Sequence, residues 1–233
     1  MTVPRTSGNE KPRRVFYRLR RDFERYYPNG SRTSLLRKLQ AFLATPGMHA
    51  SVVFRFGNWI HRSIPNRFVR LPFSILYAIM EKLCIFCWGI WIHPAAEIGP
   101  GFYIGHFGGI IVGPVKMGYD CNISQQVTIG MRVDGQPGVP SFGDRVWIGA
   151  GSVIYGDIEI GSGVSIAPLT LVSRSLPDRV MVAGNPLRVL AKDYDNSQSI
   201  YGCPDEDRKA PASDPCDIPP CASTTGGLDS SAP

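Results

Sequence analysis

A six-residue period runs through the middle of the sequence and constrains the fold more than any other feature. An aliphatic residue, methionine or phenylalanine leads each unit, and glycine often follows it. The leads are Ile92, Ile98, Ile104, Met117, Ile123, Ile129, Phe142, Ile148, Ile154, Ile160 and Ile166. A period of six fits neither an α-helix nor a continuous strand, but it fits a short strand followed by a sharp corner. Three units predict one triangular coil of a solenoid, with the leads stacked inside.

Two irregularities interrupt this period. The step from Ile110 to Met117 is seven residues, which predicts an extra residue in the corner between them. The segment MRVDGQPGVPS, between Gly130 and Phe142, is rich in glycine and proline. It predicts a loop that leaves the rigid solenoid, a frequent location for functional residues.

The chain of 233 residues divides into four predicted segments around this repeat. They are a disordered basic head at 1–12, a helical domain at 13–91, the repeat domain at 92–190 and a disordered tail at 191–233. Proline and glycine predict breaks in the helical domain near 28–30, 46–47 and 65–66. The tail is rich in serine, proline and aspartate and poor in aliphatic residues, so we expect it to stay unfolded.

Charge is unevenly placed along the chain. Residues 5–38 hold eleven basic and three acidic residues, whereas 193–233 hold eight acidic and two basic ones. A basic head favours an anionic partner or simply a solvated face. No nucleic-acid-binding motif accompanies it, so we expect no nucleic-acid partner.

The apolar stretch 71–92 raises the question of a membrane. It reads as two runs of about ten residues separated by Glu81-Lys82, each shorter than the ~20 residues of a spanning helix. We therefore expect a helix that packs between subunits or lies on a membrane surface, with peripheral membrane contact as the corresponding hypothesis. The start of the chain lacks the apolar core of a signal peptide, so the expected location is the cytoplasm, at the inner face of the membrane if that contact exists.

Six cysteines are scattered along the chain, at 84, 87, 121, 203, 216 and 221. Cys84 and Cys87 form a C-x-x-C pair, but no second pair completes a zinc site, and we expect no metal. Both are interpreted as small buried hydrophobic residues. Nothing in this pattern requires an oxidising compartment.

Several stretches resemble one family in order and spacing. They are TPGMHASVVFRFGNWIHR, IHPAAEIGPGFYIGHFGG, NISQQVTIG, FGDRVWIGAGSVIYGDIEIG and VAGNPLRVL, between about residues 45 and 190. The sequence resembles the serine acetyltransferase branch of the hexapeptide acyltransferases. This resemblance implies a left-handed parallel β-helix, mainly β, preceded by helices. It also implies an acetyl-CoA-dependent O-acetyltransferase.

His106 occupies the position of the family's catalytic histidine, in the unit GHFGG. A hydroxyl is a poor nucleophile at neutral pH, and a neutral imidazole can take its proton as it attacks the thioester. The alternative is an ordinary surface histidine. Cys121 is a rival nucleophile, but its place in a repeat unit favours packing.

The resemblance also implies a site for acetyl-CoA between the solenoids of a homotrimer or a dimer of trimers. The positions that match a backbone-lined groove are Gly149, Ala150 and Ala167, and those near the nucleotide phosphates are Ser173, Arg174 and Arg188. His93, Gln125 and Gln126 are expected near the same region, with His93 mainly structural.

Three departures from the family pattern concern the acceptor. Serine acetyltransferases carry an aspartate before the I-H-P run and another before the catalytic histidine, where this chain has Trp91 and Gly105. A later His-Pro step is Val139-Pro140 here. These changes predict a sugar hydroxyl, free or lipid-linked, in polysaccharide biosynthesis as the acceptor. The alternatives are serine O-acetylation and a non-catalytic β-helix scaffold or binding protein.

Overall fold

The repeat folds into a three-sided prism, which confirms the predicted left-handed parallel β-helix. A computed structural model describes residues 12–26, 35–131 and 138–202. Three parallel sheets form the sides, apart from one antiparallel edge strand, and each of the first four coils contributes one strand to each side. Consecutive strands of a side come from consecutive coils and pair residue for residue, so the prism has a regular core along its axis.

The strands are two to four residues long. Sheet 1 contains β1 (Ile90–Ile92), β4 (Ile110–Val112), β7 (Thr128–Gly130), β10 (Val153–Tyr155) and β13 (Leu171–Val172). Sheet 2 contains β2 (Glu97–Ile98), β5 (Lys116–Met117), β8 (Ser141–Phe142) and β11 (Glu159–Ile160). Sheet 3 contains β3 (Tyr103–Ile104), β6 (Asn122–Ile123), β9 (Trp147–Ile148), β12 (Ser165–Ile166), β14 (Met181–Ala183) and β15 (Arg188–Ala191). Among the strands of the described residues, only β15 is antiparallel to its neighbour, β14.

Each sheet sends one column of apolar side chains into the prism. In sheet 3 the column is Ile104, Ile123, Ile148, Ile166 and Val182, all with at most 1% of their surface exposed. The columns of the other sheets are equally continuous, and together they form the hydrophobic core. Burial of these aliphatic residues is the main source of stability for such short strands.

Helices from the N-terminal part of the chain close one end of the prism. They are α1 (Pro12–Glu24), α2 (Leu35–Ala44), α3 (Pro46–Ser63) and α4 (Arg67–Trp88). A buried ion pair joins them to the first coil. Arg55 of α3 contacts the carboxylate of Asp22 of α1 at 2.8 Å, and its other guanidinium nitrogens donate to the carbonyls of Ile98 and Gly99 at 2.6 Å. Asp22 in turn accepts from the backbone N–H of Phe102 at 2.9 Å.

The apolar stretch that reads as two short runs is in fact one helix. α4 begins after Asn66, whose side chain accepts from the N–H of Phe68, and ends at Gly89 in the left-handed region. Glu81 and Lys82 do not interrupt it, because both are good helix formers. An 18-residue window has a mean hydropathy of 1.5 and is 6% buried, so α4 is long and apolar enough to cross a membrane by length and composition. The expectation of two apolar runs, each too short to cross a membrane, was therefore wrong about the length of the helix.

The two cysteines of α4 differ in environment. Cys84 is buried, as expected, and burial raises the pKa of its thiol to about 11. Cys87 is exposed, because it lies about 60° from Cys84 around the helix, on the side away from Glu81 and Trp88 and outside the face that packs on the protein. The expectation that both are buried was therefore wrong for Cys87.

The chain stays ordered for several residues past the end of the repeat. Helix α5 (Ser197–Tyr201) packs on the prism: the Asn196 side chain donates to the carbonyl of Arg145 at 2.7 Å, and the Tyr201 hydroxyl donates to Asp120 at 2.7 Å. The predicted disorder from residue 191 was therefore wrong up to Gly202, because these polar contacts and buried Ile200 hold the segment.

Some predictions concern residues outside the described ranges. They are the head at 1–11, the break at 28–30, most of the loop at 132–137, and the tail from 203, with Cys203, Cys216 and Cys221.

Candidate active site

His106 lies on a corner of the prism that is longer than the repeat requires. In sheet 1, Val112 is the partner of Ile92, and Ile110 is the partner of Ile90. From the inward residue Ile104 to the inward residue Val112 the step is therefore eight residues, and from Val112 to Met117 it is five. The extra residues belong to the corner 105–109, called the His106 corner below. The expected insertion between Ile110 and Met117 was wrong. Ile110 is apolar and resembles a repeat lead, but the residue that pairs with the lead Ile92 is Val112, two positions later.

The lengthened corner holds the imidazole outside the wall of the prism. His106 and Phe107 are both exposed, Phe107 by 56%. Gly108 and Gly109 have φ values of +103° and +66°, which glycine adopts without the strain that a Cβ brings. The corner is anchored on both sides: the carbonyl of Gly108 accepts from Gln126, and the N–H of Ile110 donates to the carbonyl of Gly89. The backbone is thus fixed while the side chain of His106 stays accessible.

Four corners that follow strands of sheet 3 lie one above another along one edge of the prism. They are 105–109, 124–127, 149–152 and 167–170, and we call them the His106 edge. Backbone hydrogen bonds link them in turn: Gln126 to Gly108 at 2.8 Å, Gly151 to Gln125 at 3.0 Å, and Leu169 to the carbonyl of Ala150 at 2.8 Å. With about 4.8 Å between strands, Ala167 lies about 14 Å along the edge from His106. The structure therefore aligns the predicted catalytic residue with three predicted acetyl-CoA positions.

Small residues are required in this edge by close packing of the backbone. A Cβ at Gly149 would lie 2.6 Å from the nitrogen of Pro168 and 2.8 Å from the carbonyl carbon of Ala167. The carbonyl of Ala167 accepts from the hydroxyls of Ser152 at 3.0 Å and Thr170 at 2.6 Å. Ser152 and Thr170 each stand four places after a repeat lead, Ile148 and Ile166, but the repeat does not reveal that they share one acceptor.

The three residues predicted near the nucleotide lie away from this edge. Ser173 and Arg174 follow β13, at a different corner, and both are exposed. The guanidinium of Arg174 donates to the carbonyl of Leu187 at 3.2 Å, and Arg188 is the next residue along the chain. The side chain of Arg174 thus reaches the backbone next to Arg188 at the last coil, while Ser173 does not join the His106 edge.

Trp91 occupies the position where relatives are expected to carry an orienting carboxylate. Its indole N–H donates to Glu81 of α4 at 3.1 Å, and Glu81 also accepts from the hydroxyl of Tyr77 at 2.8 Å. The Trp91 ring stands at 87° to the ring of His93, with centroids 5.7 Å apart. Sequence reasoning did not foresee Glu81, because its partner lies on another element.

His93 is held in a structural role. Its Nδ1 accepts from the N–H of Ala95 at 3.1 Å, and burial lowers its pKa although Glu81 acts in the opposite direction. It follows a strand of sheet 1, so it does not share the His106 edge that holds Gln125 and Gln126.

Cys121 does not have the properties of an acyl carrier. Its side chain is fully buried, and burial raises the pKa of its thiol to about 12. At neutral pH the thiol therefore stays protonated, and thiolate is the nucleophilic form. This supports the packing role expected for it.

Comparison with known proteins identifies the family. Residues 140–174 match the family described as "Bacterial transferase hexapeptide (six repeats)". The chain is 31% identical over 159 residues to a serine acetyltransferase of Helicobacter pylori, which covers 67% of this chain and 88% of that protein. It is 33% identical to a serine acetyltransferase of Synechococcus elongatus, of which it spans 60%, and 32% identical to one of Escherichia coli, of which it spans 54%. The chain belongs to the serine acetyltransferase family, which confirms the expected acyltransferase class.

Solved structures agree with this family. A serine acetyltransferase of Neisseria gonorrhoeae in complex with serine aligns with a TM-score of 0.64 and 25% identity, covering 77% of this chain and 70% of that one. A serine acetyltransferase of Brucella abortus in complex with coenzyme A aligns with a TM-score of 0.65 and 26% identity, covering 78% and 69%. The preference for a sugar hydroxyl, drawn from Trp91, Gly105 and Val139-Pro140, is contradicted by these relatives, which are serine acetyltransferases. Three local departures from the family pattern were too little to define the acceptor.

Proposed function

We propose that this chain transfers the acetyl group of acetyl-CoA to the hydroxyl of L-serine, with His106 as the general base. The observation that carries the proposal is the lengthened His106 corner, which presents an accessible imidazole at the start of an edge of small residues. Family membership supports the reaction. The relatives solved with serine and with coenzyme A support the two substrates.

In the proposed reaction, His106 takes the proton of the serine hydroxyl while its oxygen attacks the thioester carbonyl. A carbon–oxygen bond forms, the carbon–sulfur bond breaks, and His106 returns the proton to the leaving thiolate, which gives O-acetylserine and coenzyme A. Backbone N–H groups at the corners are suited to stabilise the negative oxygen of the intermediate. No step needs a metal or a covalent enzyme intermediate.

Acetyl-CoA is proposed to lie along the His106 edge, where Gly149, Ala150 and Ala167 present backbone with little side chain. Arg174 and Arg188, both at the last coil, are suited to the phosphates at the nucleotide end. Ser173 lies beside Arg174 in sequence and is proposed to act with it.

The proposed assembly is a homotrimer in which a neighbouring chain covers this edge. Large apolar side chains near the His106 edge are exposed in the single chain: Phe107 by 56%, Ile111 by 47% and Leu169 by 76%. Apolar surface of this kind is typical of an interface between subunits. Light scattering in solution should give three times the mass of 25.6 kDa, or six times for a dimer of trimers; a monomer would contradict the assembly.

The test of the activity is the release of free thiol from acetyl-CoA in the presence and absence of L-serine. We expect serine-dependent release and formation of O-acetylserine, observed by mass spectrometry. Thiol release at the rate of the serine-free reaction would overturn the proposed acceptor. Binding of coenzyme A, measured separately by thermal shift, distinguishes an inactive scaffold that retains the cofactor site from one that lacks it.

A further inference from the structure

Helix α4 turns most of its large apolar side chains toward solvent. Its inward stripe is Ser74, Tyr77, Glu81, Cys84 and Trp88, at the alternating three- and four-residue spacing of one helix face, with Met80 and Ile85 half-buried beside it. Tyr77 and Glu81 hydrogen-bond each other there. A helix on the surface of a water-soluble protein normally has the opposite arrangement.

The outward surface of α4 is broad and apolar, and we call it the outer face. Its large exposed side chains are Phe68, Val69, Leu71, Ile75, Leu76, Ile79, Leu83 and Phe86. Phe86 is the most exposed of them, with 90% of its surface accessible. One packed helix covers a stripe of about 100° on its neighbour, which is much less than this surface. A second copy of the helix would therefore leave much of it in water.

The charges on the outer face have one sign. Arg67 at the start of α4 and Lys82 near its end are exposed, and Lys82 borders a shallow groove with Ile79, Leu83 and Phe86. Glu81, the acidic residue of this helix, faces the protein and is engaged by Tyr77 and Trp91. A broad apolar face with cationic residues complements an anionic lipid surface.

Contacts along α4 define how it meets a bilayer. The helix packs antiparallel to α3. The ring centroids of Phe73 and Trp59 are 5.7 Å apart, and those of Trp88 and His49 are 4.6 Å apart. α3 in turn is held to the prism by buried Arg55. A helix attached along its length in this way presents one side only, so it lies in the plane of the membrane surface.

We propose that the outer face of α4 docks this protein on the surface of an anionic phospholipid bilayer, with α4 parallel to the membrane and its apolar side chains among the acyl chains. Long basic side chains such as Lys82 keep their stems in the apolar layer and their charges at the headgroups. No residue of the outer face belongs to the His106 edge, so this inference does not depend on the proposed reaction.

The test is vesicle flotation of the full chain with vesicles of phosphatidylcholine alone or mixed with phosphatidylglycerol. We expect the protein to float with the anionic vesicles and to float less with phosphatidylcholine alone. The variant Ile79→Glu/Phe86→Glu, which places two carboxylates on the outer face, should lower the partition coefficient at least tenfold. The matched control is Leu36→Glu/Leu43→Glu, two exposed leucines of α2 at the same seven-residue spacing, which should float like the parent.

Several results would overturn the proposal. They are a parent protein that stays at the bottom with both vesicles, an α4 variant that floats like the parent, and a control variant that loses binding equally. A fourth is an α4 variant whose mass in lipid-free solution falls below that of the parent, since the outer face would then bind a second copy of the chain. Circular dichroism and urea denaturation of the variant, without lipid, establish that its fold is unchanged.

Discussion

Two corners of the same coil, six residues apart, have opposite environments. The corner 99–102 is closed by α1 and α3: Arg55 and Asp22 satisfy its backbone groups, and both are buried. The His106 corner has an exposed imidazole and two glycines with positive φ, and its contacts are made by backbone. Buried polar side chains thus stabilise the first corner, whereas the polar side chain of the second corner stays accessible from solvent.

The largest effect should come from breaking the closed corner. In Arg55→Ala the carboxylate of Asp22 stays buried without its partner, and we expect the free energy of unfolding to fall by about 3–5 kcal/mol in urea denaturation. The control is Arg62→Ala, which removes a partly exposed pair with Glu97 at 3.2 Å and should cost about 0–1 kcal/mol. Similar losses for both variants would mean that the buried pair does not hold the helices to the prism.

The open corner should respond in activity and not in stability. His106→Ala is expected to lower serine-dependent turnover by about 100-fold, because the general base is lost. Its unfolding free energy should change by less than about 0.5 kcal/mol, since the side chain is exposed.

His61→Ala, at an exposed histidine of α3, is the control and should keep full activity. Unchanged turnover in His106→Ala would remove this residue from the proposed mechanism.

A carboxylate added at the open corner should improve serine binding. A Cβ at Gly105 meets Tyr103 at 3.4 Å and the carbonyl of Ile123 at 3.8 Å, both ordinary contacts, so a side chain fits. Relatives are expected to hold serine with an aspartate at this position, and Gly105→Asp should lower the KM for serine about tenfold through a charged hydrogen bond to the amine. The control is Gly105→Ala, which adds a Cβ at the same position but no charge. Equal KM values for the two variants would show that the carboxylate does not contact serine here.

The smallest effect should come from Tyr26, which contacts the strand between the two corners. The Tyr26 hydroxyl accepts from the N–H of Ile104 at 3.0 Å and donates to its carbonyl at 3.3 Å. Burial raises the pKa of this phenol well above its usual range, so the hydroxyl keeps its proton. Tyr26→Phe should lower the free energy of unfolding by about 1 kcal/mol, measured by urea denaturation. Turnover should change less than twofold; a loss as large as that of His106→Ala would mean that Tyr26 also positions the catalytic corner.

The sequence predicted those parts of the site that a local motif or the repeat defines. His106 and the small residues of its edge follow from the family motif and the repeat. The length of the His106 corner did not, because Ile110 is apolar and occupies a lead position although Val112 pairs with Ile92. The partners of Arg55 and Trp91 were also hidden, since Asp22 and Glu81 lie on other elements and no periodicity connects them.

By itself, the sequence determined the prism, because every sixth residue must be apolar and compact when three short strands make one coil. The tertiary structure alone decided which corner is lengthened, which polar side chains close the first coil, and that α4 turns its apolar face outward. The physical reason is that coil geometry repeats along the chain, whereas register, ion pairing and burial of a helix face depend on residues brought together from distant positions.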